Sequence, residues 1–280
     1  MKPGTVTVLG SGTSMGVPTI GCSCAVCRSM DPRDRRMRPS VMIEWAGQSL
    51  ADGYAATDAA PAAGARRIII DSGPDFREQA LREGIDRLDT VLYTHGHADH
   101  ILGLDDLRPL TYARVTGGGR LPLYARPETA RIVRSVFKYI FDDNYKYGGI
   151  AKVELNESDG PFDLLDLRVI PVPVMHGEAE IIGYRIGRFA YLTDFSAIPD
   201  RSIEMLNGVD VVFLDALRHE PHPTHSTVAN SLQLAERIGA AQTYFTHMSH
   251  DLGHEATNQT LPPGVRLAYD GLRVEINLES

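Results

Sequence analysis

Within the segment Thr94-His95-Gly96-His97-Ala98-Asp99-His100, four metal-capable side chains fall within six residues. The segment follows an apolar, strand-like run, Asp89-Thr-Val-Leu-Tyr-Thr94. Residues two apart in an extended backbone point to the same side, so His95 and His97 can face one ion together. Asp99 and His100 come where the chain turns, and can face a second ion beside the first. Two ions roughly 3.5–4 Å apart can clamp attacking and leaving oxygens, and metal binding can lower the pKa of water to about 7. Imidazole with carboxylate suits zinc, manganese or iron. The chemistry expected is metal-dependent hydrolysis. A lone His-x-His would read equally well as surface decoration, but four such residues in six do not.

A second cluster is of a different kind. The chain has three cysteines, Cys22, Cys24 and Cys27, crowded into six residues. An odd number in one place is a poor disulfide framework and reads better as a metal site. Structural zinc takes four ligands, so one must come from far along the chain. His219, His222, His250 and His254 are the candidates. His250 is preferred, because it lies three residues after His247 and the two could serve neighbouring ions from one turn. Such a zinc would staple the N-terminal loop to the C-terminal half. The competing reading is three buried or redox-active thiols.

These residues need a scaffold, and the pattern supplies one. Strand-like runs recur at 5–9, 40–45, 67–70, 89–94, 121–125, 167–174, 181–186, 190–193, 209–214, 243–246, 265–268 and 273–276. Helical spacing lies between many of them: 74–83 closed by Gly84, 104–113, 127–140 on Ile132, Val133, Val136 and Ile140, 201–207 and 227–238. Asp71, His95, His176, Asp194, Asp215 and His247 stand at strand ends. That arrangement implies two sheets whose strand ends converge on one site, with helices outside. Asp71 is a candidate acceptor that would orient a ligand histidine, or else a turn former before Ser72-Gly73. No sequence repeat and no clean linker is visible, so residues 1–280 are taken as a single domain. Residues 51–65, rich in Ala, Gly and Asp, read as a flexible loop insertion.

Composition narrows the partners. The net charge is −8 from 36 acids and 28 bases, with 43% hydrophobic residues. That is an ordinary globular balance, and it argues against a broad nucleic-acid surface. The chain opens Met1-Lys2-Pro3-Gly4 straight into a strand, and no apolar run approaches the roughly 20 residues of a membrane span. A cytoplasmic location with no membrane contact is the expectation, and a homodimer is the oligomer considered.

His95-x-His97-x-Asp99-His100, with His176, Asp194 and His247 downstream, resembles the signature of the metallo-β-lactamase superfamily. The resemblance implies an α/β fold, the αββα sandwich of two mixed sheets with helices outside. It further implies that His95, His97 and His176 hold one metal, that Asp99, His100 and His247 hold the other, and that Asp194 bridges them. Asp99 is counted among the catalytic residues too. Gly10-Ser-Gly-Thr-Ser-Met-Gly16, the cysteine cluster, His247-Met-Ser-His250 and Tyr269-Asp-Gly-Leu272 extend the likeness over nearly the whole chain. They resemble the PhnP-type phosphoribosyl cyclic phosphodiesterases. In that family three cysteines and a late histidine bind structural zinc, which maps onto Cys22, Cys24, Cys27 and His250. Its histidine before a helix in the second half matches His225 in Pro223-Thr-His225-Ser-Thr227, implying a general acid or a phosphate contact.

The reaction implied is attack on phosphorus by a metal-bridging hydroxide, with His225 assisting the leaving group. The cofactors are two divalent ions, Zn²⁺ or Mn²⁺, and one structural Zn²⁺. The substrate expected is a small cyclic phosphodiester of a ribose phosphate or a nucleotide-like diester. The alternatives are a transfer-RNA 3′-processing endonuclease and a thioester or lactam hydrolase of the same superfamily. Residues 51–65 and a longer 127–149 region depart from the family and would alter the pocket rim. The glycine loop 10–16 is read as a tight turn with Ser11, Thr13 or Ser14 lining the pocket. The basic stretch 33–38 is read as a solvated loop, and His219 and His222 as exposed loop residues.

Overall fold

In a computed structural model, residues 1–47, 65–115, 119–142, 144–145 and 148–279 are described. The expected insertion at 51–65 lies outside them, save for Ala65, which opens a strand. The first sheet contains β1 (Pro3–Gly10), β2 (Ser40–Ala46), β3 (Ala65–Ile70), β4 (Thr90–Leu92), β5 (Leu121–Ala125) and β6 (Val153–Glu157). The second contains β7 (Phe162–Leu164), β8 (Leu167–His176), β9 (Ala179–Ile186), β10 (Phe189–Leu192), β11 (Val211–Asp215), β12 (Gln242–Thr246) and β13 (Val265–Leu267), and β14 (Arg273–Asn277) returns to the first. The strand orders are β14-β1-β2-β3-β4-β5-β6 and β13-β12-β11-β10-β9-β8-β7.

Each sheet passes from antiparallel to parallel pairing at one strand. In the first that strand is β3, antiparallel to β2 and parallel to β4. In the second it is β10, antiparallel to β9 and parallel to β11. The two sheets share one wiring plan although no repeat shows in the sequence.

The two-residue side-chain period sorts the apolar residues between faces. Val41, Ile43, Trp45, Ile68 and Ile70 point between the sheets, against Val169, Tyr184, Phe189, Tyr191 and Phe213 of the second sheet. Met42 and Ile69, the intervening residues, point outward to the helical layer. Burying such side chains stabilises by about 1.5–3 kcal/mol each, so the slab between the sheets holds the strand ends in place. The expected αββα sandwich is what the chain forms.

The outer helices follow local signals. α1 (Phe76–Glu83) ends at Gly84, whose left-handed φ of 63° lets its N–H reach the carbonyls of Ala80 and Leu81. α2 (Ala98–Ile101) carries Asp99 and His100, and α3 (Arg108–Val115) follows a 3₁₀ turn, Leu104–Leu107. α4 (Pro127–Val136) opens on its proline; α5 (Asp200–Glu204) is short. α6 (Val228–Ile238) is capped by the Thr227 side chain accepting from the Asn230 N–H and closed by Gly239. α7 is His254–Asn258.

The structure departs from the pattern in two ways. Ile132 and Val136 of α4 are exposed, and it is Thr129, Ala130 and Val133 that face the sheet. Ile132 instead leans over Gly96, where a Cβ would sit 2.6 Å from its Cδ1. β6, β7 and α7 gave no apolar period to find, being short or mostly polar.

Candidate metal centre

The functional side chains sit where strands stop. His95 and His97 follow β4, α2 brings Asp99 and His100, and His176 is the last residue of β8. Asp194 stands two residues past β10, Asp215 ends β11, and His247 follows β12. Asp71, Asp194 and His247 all take a left-handed backbone, with φ of 64°, 58° and 58°. That conformation is uncommon for residues with a Cβ. It turns each chain sharply out of its strand and aims the side chain across the sheet end.

Two groups of ligand atoms result, each lying within 4.8 Å of one another: His95, His97, His176 and Asp194, then Asp99, His100, Asp194 and His247. Asp194 belongs to both. Its Oδ1 lies 3.3 Å from His100 Nε2, and its Oδ2 lies 3.2 Å from His247 Nε2 and 3.8 Å from His95 Nε2. Asp99 Oδ2 is 3.2 Å from His100 Nε2 and 3.6 Å from His247 Nε2. All seven residues placed at the active site by the sequence are thus gathered around two neighbouring points.

The distal nitrogens explain the orientation. The His100 Nδ1–H donates to Asp71 Oδ2 at 2.7 Å, and the His176 Nδ1–H donates to the Thr224 carbonyl at 2.9 Å. Asp71 also accepts from the Thr94 N–H and hydroxyl, both at 2.8 Å. Asp71 therefore both turns the chain out of its strand and, with three donors on its carboxylate, positions His100. With Nδ1 protonated, the Nε2 lone pairs of His100 and His176 point inward.

The donor set fits divalent ions. His95 Nε2, Asp99 Oδ2, His100 Nε2 and His247 Nε2 are buried and have no hydrogen-bond partner. Buried polar atoms are ordinarily paired, and lone pairs turned on one another call for a cation between them. Without one, protons take that place. Burial disfavours a charged His247, yet Asp194 and Asp99 raise it to about 9, and His100 is held protonated against burial by the same carboxylates. Burial and His100 together push His95 well below its ordinary value. Asp99 and Asp194 stay ionised despite burial, because these imidazoles surround them.

Beside the paired groups, the His225 Nδ1–H donates to Asp215 Oδ2 at 2.9 Å. The His225 ring stacks on His247, with centroids 4.7 Å apart and planes at 14°, and meets His176 edge-on at 4.9 Å. It touches one residue from each group. Asp215 stood out in the sequence only as a strand-end carboxylate; its side chain is fully buried. The backbone of Thr224, which fixes His176, carried no sequence signal.

The cysteine cluster closes as well. The Sγ atoms of Cys22, Cys24 and Cys27 lie 3.2, 3.6 and 3.4 Å from His250 Nδ1. The N–H groups of Cys24, Cys27 and Thr19 donate to Sγ of Cys22, Cys24 and Cys27, respectively. Donors of this kind favour thiolate. The Cys27 N–H is the main reason the Cys24 thiol falls to about 7, whereas burial pushes Cys27 up. His219 stays exposed, and His254 is buried elsewhere, edge-on to Tyr269.

Two expectations change. Ser11 is taken up by Asp270, which accepts from its N–H at 2.9 Å and its hydroxyl at 2.8 Å, so its polar groups are already engaged. Gly12 and Thr13 instead pair with Met248, tying the loop to the turn between His247 and His250. Nor is the stretch 33–38 simply solvated. Arg36 is buried and donates to the carbonyls of Ser249 and Leu252 at 2.7 and 2.5 Å, with Asp34 at 3.2 Å.

The fold and this geometry define a metallo-β-lactamase-type hydrolase. Residues 66–248 match the family model described as the beta-lactamase superfamily domain, and the chain belongs to that superfamily. Within it the chain is of the PhnP type. It is similar to a solved structure described as a new diphosphatase from the PhnP family, with 57% identity over 99% of this chain and 98% of that one and a TM-score of 0.86. It is also 40% identical, over 96% of its length, to the octanoyltransferase of Porphyromonas gingivalis (strain ATCC BAA-308 / W83); it spans about half, 51%, of that protein. Zn²⁺-bound PqqB from Methylobacterium extorquens shares the fold at 20% identity, with a TM-score of 0.67 over 96% of this chain and 99% of that one. Among the described residues no helix is long and apolar enough to cross a membrane.

Proposed function

We propose that this hydrolase cleaves a small phosphodiester or diphosphate bond, with the His/Asp groups holding two divalent ions and Cys22, Cys24, Cys27 and His250 holding a structural zinc. The observation that carries this reading is the Asp215–His225 pair, set against a residue of each ligand group. Likeness to the PhnP-family diphosphatase supports the phosphate ester as substrate class. Such ions supply a water of lowered pKa and neutralise phosphate oxygens.

The side chains then have separate tasks. His95, His97 and His176 face one point, Asp99, His100 and His247 the other, and Asp194 spans both. Asp71 and the Thr224 carbonyl hold the ring orientations. As water adds to phosphorus and releases a proton to solvent, the bond to the leaving oxygen breaks and the proton on His225 Nε2 passes to that oxygen, His225 then regaining a proton from solvent. Asp215 accepts from the opposite edge of the ring and fixes its orientation. A small cyclic diester of a ribose phosphate places a poor alkoxide leaving group where such an acid has most effect.

Leaving-group dependence tests this. In zinc- or manganese-loaded protein, His225→Ala should lower kcat on an alkyl or ribose cyclic diester by roughly 10²–10⁴-fold. Its loss on bis-p-nitrophenyl phosphate should be far smaller, because that leaving group needs no proton. Full turnover of the alkyl diester by His225→Ala removes the acid role. Turnover of a thioester or lactam alone, with every phosphate ester inert, overturns the reading.

A further inference from the structure

The loop 217–227, between β11 and α6, carries a residue that the site just described does not use. His222 lies between Pro221 and Pro223, whose rings fix φ on both sides. Its Nδ1 accepts from the Thr224 N–H at 3.3 Å and meets the Thr224 hydroxyl at 3.2 Å. A neutral imidazole that accepts at Nδ1 carries its proton at Nε2. Thr224 is the same residue whose carbonyl fixes His176. Its methyl also sits 3.0 Å from where a Cβ on Gly177 would lie, so the loop is fitted closely to the end of β8.

The loop is braced at its outer end too. The Arg218 guanidinium donates to the carbonyls of Glu220 at 3.1 Å and Pro221 at 2.9 Å. The Leu217 N–H donates to the Ser226 carbonyl, and the Val228 N–H to the Arg218 carbonyl. Burial first, then His225 and Arg218, hold His222 below its ordinary pKa, which keeps it the neutral donor its hydrogen bonds describe. The His222 ring centroid is 5.0 Å from that of His225, one ring farther from the ligand groups.

Taken together these features describe a pre-set N–H donor, in the field of an arginine, just beyond the acid that serves the leaving oxygen. We propose that His222 is a specificity-determining residue whose Nε2–H binds an anionic oxygen of the leaving group, namely a second phosphate next to the scissile one. This rests on the reading that the paired His/Asp groups take a phosphate ester. It assigns a task to the leaving-group side of the site, which that reading leaves open.

The test compares two anions that differ by one phosphate. Binding of inorganic phosphate and of inorganic pyrophosphate to the zinc-loaded protein is measured by calorimetry for wild type, His222→Ala and His222→Gln. The preference for pyrophosphate over phosphate should fall about tenfold in His222→Ala, the value of one modest hydrogen bond to a charged group. His222→Gln, which keeps an N–H donor of similar reach, should recover much of it. Nitrogen-15 spectra should show His222 protonated at Nε2, with that signal moving on pyrophosphate but not on phosphate.

Equal weakening of both anions means that His222 only supports His225, and overturns the proposal. An unchanged preference in His222→Ala overturns it as well, as does a His222 protonated at Nδ1. These outcomes are read from binding, whereas the phosphodiester reading stands or falls on turnover of diesters by the wild-type protein. Each can therefore fail without the other.

Discussion

Asp71 and Asp194 occupy the same place in the two sheets and do opposite things. Each follows the strand at which its sheet changes from antiparallel to parallel pairing, and each takes a left-handed backbone. Each is buried beside His100. Asp71 meets the N–H and hydroxyl of Thr94 and the protonated edge of His100, so its oxygens are engaged by donors. Asp194 meets the other edge of His100, together with His247 and His95, where lone pairs converge. One backbone device thus orients a candidate ligand in the first sheet and supplies a candidate ligand in the second. Which it does is decided by the edge of His100 that it meets, Nδ1 for Asp71 and Nε2 for Asp194.

The sharpest way to break this comparison is to remove one charge from each. Asparagine tolerates a left-handed backbone about as well as aspartate, so Asp→Asn tests charge apart from strain. Asp194→Asn should bring diester turnover to background and remove most of the metal not held by the cysteines, measured by elemental analysis. Asp71→Asn should be milder, about 10–100-fold in activity or metal affinity, the usual scale for a partner behind a ligand histidine. Equal losses at the two positions would mean that Asp71 is itself a ligand.

The cysteine site sharpens the same point from another side. Cys27→Ser should lower the thermal midpoint and the zinc content, and reduce activity in proportion to unfolding, since His250 sits on the turn that carries His247. A loss of kcat with the midpoint unchanged would show instead that the thiols act directly on the reaction.

The smallest expected effect concerns His254, a buried imidazole that faces neither ligand group. Burial, Arg33 and Arg36 lower it to about 4, opposed by Asp31 and Asp34. The unfolded chain binds that proton near pH 6.5 and the folded chain only near 4. Its contribution is therefore present above about 6.5 and lost as the pH falls from there to about 4. His254→Gln should flatten the acid side of the stability curve in urea titrations across that window. An unchanged slope would mean that His254 titrates normally.

Much of the candidate site was legible in the chain because its side chains are local or stand at strand ends. The run from His95 to His100 is set by strand and turn geometry alone, and His176, Asp194 and His247 each end an apolar run. The sandwich followed from the same spacing, with Ile68 and Ile70 facing one way and Ile69 the other. Asp215 was visible only as one more strand-end carboxylate, because nothing in sequence ties it to a histidine ten residues on. Arg36 looked solvated because a guanidinium among prolines and acids gives no sign of the carbonyls that bury it.

What the sequence alone determined is which side chains gather at the candidate centre and the class of fold, since both depend on side-chain types and on periods of two and 3.6 residues. What only the tertiary structure decided is which edge of each ring faces inward. The shared wiring of the two sheets, the opposite tasks of Asp71 and Asp194, and the fixed donor at His222 all depend on hydrogen bonds between segments tens of residues apart or on the backbone of a braced loop. Those partners come into reach only when β3 and β10 are stacked across a common core.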